Sequence, residues 1–234
     1  MIVVAQPWRI MENKSIDDLV GQSLIKSRER VSQHGEVFTA QREVNAMLDL
    51  VKPETERIES RFLEPACGNG NFLAEILRRK LTILSSRFSR SRIDYEFNAI
   101  VAVGSIYGIE IQSDNVEECR IRLFGIFSEE YLKLFKNSAS SEFLLAIKYI
   151  IDTNILWGDA LTLKTPDGST PITFAEWSAV TAGNIKRRDF TLDNLLQNQP
   201  IDEPNLFSDL GDEAFIPTPI REYPITHYLK ISQQ

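Results

Sequence analysis

The chain has 234 residues, 43% of them hydrophobic, which is enough to bury one sizeable core and suits a single α/β domain with peripheral additions. A formal net charge of -7 and a pI near 5.1 exclude a protein that grips a polyanion with its whole surface, because each phosphate contact needs a Lys or Arg. The only cysteines, Cys67 and Cys119, lack the paired spacing of metal ligands, which argues against a disulfide scaffold or a zinc site and fits a reducing cytoplasm. No segment approaches the roughly 20 apolar residues of a membrane span, and the run near Met1 is too short for a signal peptide, so a soluble cytoplasmic protein is expected.

In chain order, Ser15 to Arg30 carries Ile16, Leu19, Val20 and Leu24 at helical spacing, with acids early and bases late. Gly35 breaks the pattern, leaving His34 as a turn residue. Gln41 to Val51 resumes it through Val44, Met47 and Leu48, with Thr39 as the expected N-cap and Pro53 as the stop. Arg61 to Cys67 reads as a short buried strand. It ends at the turn Cys67-Gly68-Asn69-Gly70, after which Phe72, Leu73, Ile76, Leu77 and Leu81 predict a helix.

The stretch from Ser89 to Ser105 predicts a basic loop and one or two helical turns. Ile106 to Gln112 (IYGIEIQ) reads as a second strand. A helix capped by Ser113 or Asp114 follows, with Glu117 three residues after Asp114. Another helical stretch near Phe143–Ile151 leads to a third strand ending at Gly158-Asp159. Strand, helix, strand, helix, strand implies parallel pairing by right-handed crossovers, with ligands at the carboxyl ends of the strands. Beyond Thr165 come a turn, an ambiguous ITFAEWS segment and a tail rich in Pro and acids, read as a wrapping arm, a partner-binding segment or partly disordered. The expected divisions are an N-terminal helical segment over 1–52, an α/β domain over 53–195 and a Pro-rich acidic tail over 196–234.

Gly68 and Gly70 permit a tight turn and a close backbone approach, and the helix from Asn71 points its free N–H groups at the same place. Glu110 ends the second strand, where a carboxylate can accept from two ribose hydroxyls, and Asp159 ends the third, where it can accept from an exocyclic amine. A lone acid at a strand end serves equally as a cap or turn residue. Three strand ends in consecutive units favour a site.

These residues resemble the amino-methylating, chiefly adenine-specific DNA methyltransferases of bacterial restriction-modification systems, from about Arg30 to Leu163. HGEVFTAQREV is similar to the family's upstream Gly-x-Val/Phe-Phe-Thr-Pro motif, with Ala40 for Pro. LEPACGNGNFL is similar to Asp-Pro-Ala-Cys-Gly-x-Gly-x-Phe-Leu, with Glu64 for Asp, and IYGIEIQ and GDAL look like the next two motifs. The resemblance implies an S-adenosylmethionine-dependent methyltransferase sheet of Rossmann-like type, with helices on both faces. It implies Phe38 and Thr39 at the methionine end, and Glu64, Ala66, Gly68 and Gly70 around the amino-acid moiety. Glu110 would meet the ribose, Ile111 the adenine ring, and Asp159 with Ala160 the adenine edge.

Two features depart from the pattern. Gly70 and Glu110 lie 40 residues apart, so the basic stretch with Arg87, Arg90 and Arg92 reads as an insertion, its charges as a solvated face. The Asp/Asn/Ser-Pro-Pro-Tyr/Phe turn that positions the target amine in this family is absent, since no Pro-Pro occurs. Gly183-Asn184 is the nearest remnant and makes Asn184 the catalytic candidate. The expectation is a cofactor-binding part whose catalytic and target-recognition parts lie on a partner subunit, with DNA met through the complex. The alternatives are a non-catalytic subunit that keeps the fold, or a small methyltransferase on another substrate that uses Asn184 or the segment FIPTPIREY. His227 has no visible partner.

Overall fold

The structure is a computed structural model, and it describes residues 26, 27, 29, 30, 32, 36–181, 183–196 and 217–234. The expected helix over Ser15–Arg30, its break at Gly35, the turn residue His34 and the tail from 197 to 216 lie largely or wholly outside the described residues. The chain divides into two compact units, Met1–Phe38 and Thr39–Gln234. In the first, the Arg30 guanidinium pairs with Glu36, while Val37 is exposed.

The second unit begins with helix α1 (Gln41–Asp49), which buries Val44 and Leu48, and a single turn, α2 (Lys52–Thr55), opened by Pro53. The N-cap of α1 is Ala40 rather than Thr39, and no side chain caps it. Strand β1 (Phe62–Glu64) leads through the glycine turn into α3 (Asn71–Phe88), and α4 (Arg92–Gly104) then returns the chain to β2 (Ile106–Glu110). The second crossover repeats this plan. Helix α5 (Ser113–Phe135) runs out and α6 (Ser141–Asn154) runs back into β3 (Ile155–Trp157). The N-cap of α5 is Gln112, without the side-chain cap expected from Ser113 or Asp114.

Each crossover is therefore a helical hairpin. Helices α3 and α5, 18 and 23 residues long, span about 27 and 35 Å, far more than strands of three to five residues need. They overshoot the sheet, and α4 and α6 pack beside them so that each of the four touches two others. The core of this bundle is aromatic: Tyr131 sits 5.0 Å from Phe143, 5.3 Å from Phe135 and 6.2 Å from Tyr95, centroid to centroid. The separation of 40 residues between Gly70 and Glu110 is thus filled by an ordered return helix of 13 residues, where the sequence suggested a basic loop and one or two helical turns. Ser91 caps that helix by accepting the Asp94 N–H at 3.3 Å.

The three strands are parallel, in the order β1-β2-β3. Successive right-handed crossovers that advance in one direction leave their helices on one face. On the other face Tyr107 and Ile109 meet Ile172, Phe174 and Leu192. That second layer is an antiparallel hairpin, β4 (Thr173–Ala179) with β5 (Asn184–Thr191), followed by the short helix α7 (Leu192–Leu196). The α/β class holds: among the described residues long helices cover one face of the parallel sheet, and a hairpin with the short α7 covers the other. The expected helices on both faces are met unequally: the four long helices lie on one face, and on the other only the short α7 joins the hairpin, through Leu192.

The end of the chain is also more regular than expected. Residues 217–234 add β6 (Arg221–Glu222) and β7 (Thr226–His227) to β5, then a 3-10 helix, Tyr228–Gln233, that buries Tyr228 and Ile231. The Tyr228 hydroxyl donates to buried Glu96 at 2.6 Å, and Glu96 also accepts from Arg92 at 2.7 Å and from the Tyr131 hydroxyl. One carboxylate with three donors ties the C-terminal segment to α4 and α5. Among the described residues, no helix is long and apolar enough to cross a membrane.

Candidate functional site

The parallel register brings three sequence-predicted positions to one pole. Cys67 N–H donates to the Ile109 carbonyl at 2.9 Å and Gly158 N–H to the Glu110 carbonyl at 3.0 Å, so the glycine turn, Glu110 and Gly158-Asp159 sit side by side at the carboxyl ends of β1, β2 and β3. Gly68 and Gly70 have φ of 52° and 87°, the left-handed region that L side chains rarely adopt, and Gly70 is the N-cap of α3. The turn closes when Gly70 N–H reaches the Cys67 carbonyl at 2.8 Å. The first N–H groups of α3 then open toward the strand ends.

Glu110 is the hub. It is buried, its Oε2 accepts the Gly68 N–H at 2.8 Å and its Oε1 accepts the Gln112 N–H at 2.8 Å. One carboxylate thus braces the glycine turn and the start of the next connection together. Each oxygen keeps acceptor capacity for a further donor. Glu64 is half-buried at the end of β1, and desolvation raises its pKa, partly offset by the Ala66 backbone N–H. Ala66 itself is exposed on the turn.

Thr39 reaches the same pole through its carbonyl, which accepts from Asn71 Nδ2 at 2.9 Å. Phe38 belongs to the first unit and is half-buried there. Asp159 is engaged locally: Oδ1 accepts the Leu161 N–H at 2.9 Å, and that backbone bond is the main reason its pKa is lowered. Its own N–H and carbonyl pair with Lys164 and Leu163, so the loop bearing Ala160 is a tight turn. Ile111 is half exposed, and its carbonyl accepts from Trp157 Nε1 at 2.9 Å.

Asn184 is placed elsewhere. Strand β4 starts near Gly158, against which Ile172 packs, and runs down the sheet to Trp177, which packs on Gly104 and donates from Nε1 to Asn154 at 3.0 Å. Gly104 and Asn154 precede β2 and β3. The hairpin turn with Asn184 therefore lies past the amino ends of the parallel strands, at the pole opposite the glycine turn, where Asn184 pairs with His227 and donates to the Thr181 carbonyl. It is the first residue of β5, far from the strand ends a ligand would use. Arg92 of the basic stretch is spent on Glu96.

Residues that the motifs did not reveal complete the pole. One face of α5 presents Asn115, Cys119 and Arg122 at successive helical turns. The Cys119 sulfur lies 2.6 Å from where a Cβ on Gly70 would sit, and Arg122 Nη1 donates to Asn71 Oδ1 at 2.5 Å. This face therefore underlies the glycine turn. The Cys67 thiol is pushed well up, chiefly by its hydrogen bond with the Cys119 sulfur and then by burial. Asn115, one turn before Cys119, is buried with both amide atoms lacking a hydrogen-bond partner, as is Asn69 Oδ1 in the turn itself.

Unsatisfied buried amides, spare lone pairs on Glu110 and a helix N-terminus in one place suit a small polar ligand with hydroxyl and zwitterionic groups. Asn115 lies in α5 and Trp157 ends β3 beside Glu110, both outside the motifs, so only the tertiary structure shows where they stand. Among the described residues, no group of three or more His, Cys, Asp or Glu is arranged to hold a metal ion. The chain matches no protein-family model, no curated protein and no solved structure.

Proposed function

We propose that this chain is an S-adenosylmethionine-binding module of the kind used by adenine-N6 DNA methyltransferases of restriction-modification systems, with the parts that position the target amine and read the DNA sequence supplied by a partner subunit. The observation that carries it is the convergence of the Gly68–Gly70 turn, Glu110 and Asp159 at the carboxyl ends of three adjacent parallel strands. In this arrangement the α3 N-terminus and the turn backbone receive the amino-acid end of the cofactor, and Glu110 accepts the ribose hydroxyls with its remaining lone pairs. The bound cofactor supplies an activated methyl group. The chain's own residues hold and orient it.

The absence of a Pro-Pro-aromatic turn and the remote position of Asn184 favour the division of labour over a small self-sufficient methyltransferase. A second reading has its own observation. Both Glu110 oxygens already accept backbone N–H groups, which suits a fold-only relative in which the acid merely braces the loop. Ultraviolet cross-linking with methyl-tritiated S-adenosylmethionine separates the two. Label mapped to the peptide Phe62–Leu73 or Ile106–Gln112 supports the cofactor reading. No saturable label at millimolar cofactor overturns it and leaves the bracing role.

A further inference from the structure

We propose that Trp157 is the base-stacking residue of a nucleoside subsite at the carboxyl pole; this rests on the cofactor reading above and names a residue outside every motif that suggested it. Trp157 is the register partner of Glu110, so the two side chains rise on the same face of the sheet from neighbouring strands about 4.8 Å apart. The acid is buried whereas the indole is 50% exposed, although it ends a strand whose first residue, Ile155, is 1% exposed. Its orientation is fixed, because Nε1 donates to the Ile111 carbonyl at 2.9 Å and so clips the indole to the end of the adjacent strand.

A tryptophan that satisfies its only polar atom internally and leaves half its area in solvent offers a flat apolar face at a set place. Ile111, also 50% exposed, and Leu161, 94% exposed, extend the apolar surface there, and Asp159 stands two residues beyond the indole. Carboxylate and indole side by side complement the two halves of a nucleoside: the acid accepts sugar hydroxyls, and the indole receives the face of the base. The chemical class recognised at this subsite is an adenosine-bearing small molecule, held here by its ring.

The chain has three tryptophans, Trp8, Trp157 and Trp177, and Trp177 is buried with its Nε1 bonded to Asn154. Indole emission of the full chain is therefore titrated with adenosine, S-adenosylhomocysteine and methionine, alongside Trp157→Phe and Trp157→Ala checked for unchanged thermal unfolding. The expected result is saturable quenching by the two adenosine compounds in the wild type but not in Trp157→Phe. Calorimetric affinity for S-adenosylhomocysteine should fall about 10-fold or more in Trp157→Ala and be largely kept in Trp157→Phe. A wild type that binds S-adenosylhomocysteine while Trp157→Ala binds it equally well overturns the stacking role and leaves the cofactor reading intact. A wild type that binds neither adenosine compound overturns both. Should Trp157→Ala unfold, the loss of quenching in Trp157→Phe decides alone.

Discussion

Replacing Gly70 by Ala tests the packing of the glycine turn on α5. Gly70 sits at φ 87°, and a Cβ added there would lie 2.6 Å from the Cys119 sulfur and 3.4 Å from the Cys119 Cβ. The left-handed backbone costs an L residue roughly 1–2 kcal/mol. Cys119 is fully buried and cannot swing aside, so overpacking adds about 1–3 kcal/mol. Gly70→Ala should therefore lose about 2–5 kcal/mol in urea unfolding followed by circular dichroism. In a Cys119→Ala background the sulfur is gone and only the backbone strain remains, so the same substitution should cost roughly 1–2 kcal/mol. A double-mutant cycle reads the difference as a coupling of about 1–3 kcal/mol. Equal cost in the two backgrounds would refute the placement of α5 beneath the turn.

Three further outcomes are expected. Lys80 is buried on α3, its ammonium donating to the carbonyls of Ile58 at 2.8 Å and Ser60 at 2.6 Å and to Ser105 Oγ at 2.6 Å, and burial pushes its pKa down to about 7. Between about pH 7 and the ordinary 10.5 the unfolded chain binds more protons at this site than the folded one, so wild type should gain about 2 kcal/mol over Lys80→Met from pH 8 to pH 10 in urea unfolding; parallel pH curves would contradict this. Tyr228→Phe removes a hydrogen bond to the buried Glu96 carboxylate and should destabilise the chain by about 1.5–3 kcal/mol in thermal unfolding, and no change would detach the C-terminal segment from the bundle. Asn184→Ala should leave S-adenosylmethionine affinity within about twofold by calorimetry, since 1.4 kcal/mol is already tenfold and no contact with the site is lost; a large loss would return Asn184 to the site.

The glycine turn and the second strand end were legible because local rules specify them: Gly68 and Gly70 answer a left-handed backbone, and the apolar run before Glu110 answers a strand buried throughout in a parallel sheet. Helix α4 was hidden by Arg87, Arg90 and Arg92 at its approach, although Ser91 with Asp94 three residues later carried a cap signal. Strand β5 was harder. Its inward positions include Arg187 and Asp189, which read as surface residues; they are tolerated inside because Arg187 meets Asp189 at 2.8 and 3.0 Å and lies over the rings of Tyr149, Trp177 and Tyr223. The docking of the C-terminal segment depends on Tyr228 meeting Glu96 across 132 residues, which no local pattern encodes. The same limit applies to the site. Glu110 was placed by its motif position, but its bond to Gly68, 42 residues earlier, and the pairing of Trp157 with it come only from tertiary register.

Isothermal titration of the full chain with S-adenosylmethionine, repeated on Glu110→Ala, tests the central claim most directly. The account predicts saturable binding of one cofactor per chain by the wild type, weakened in the variant by about 1–3 kcal/mol for the lost buried hydrogen bonds. Wild-type protein that gives no heat and no thermal stabilisation at millimolar cofactor, or a Glu110→Ala variant that binds as tightly as wild type, would contradict it.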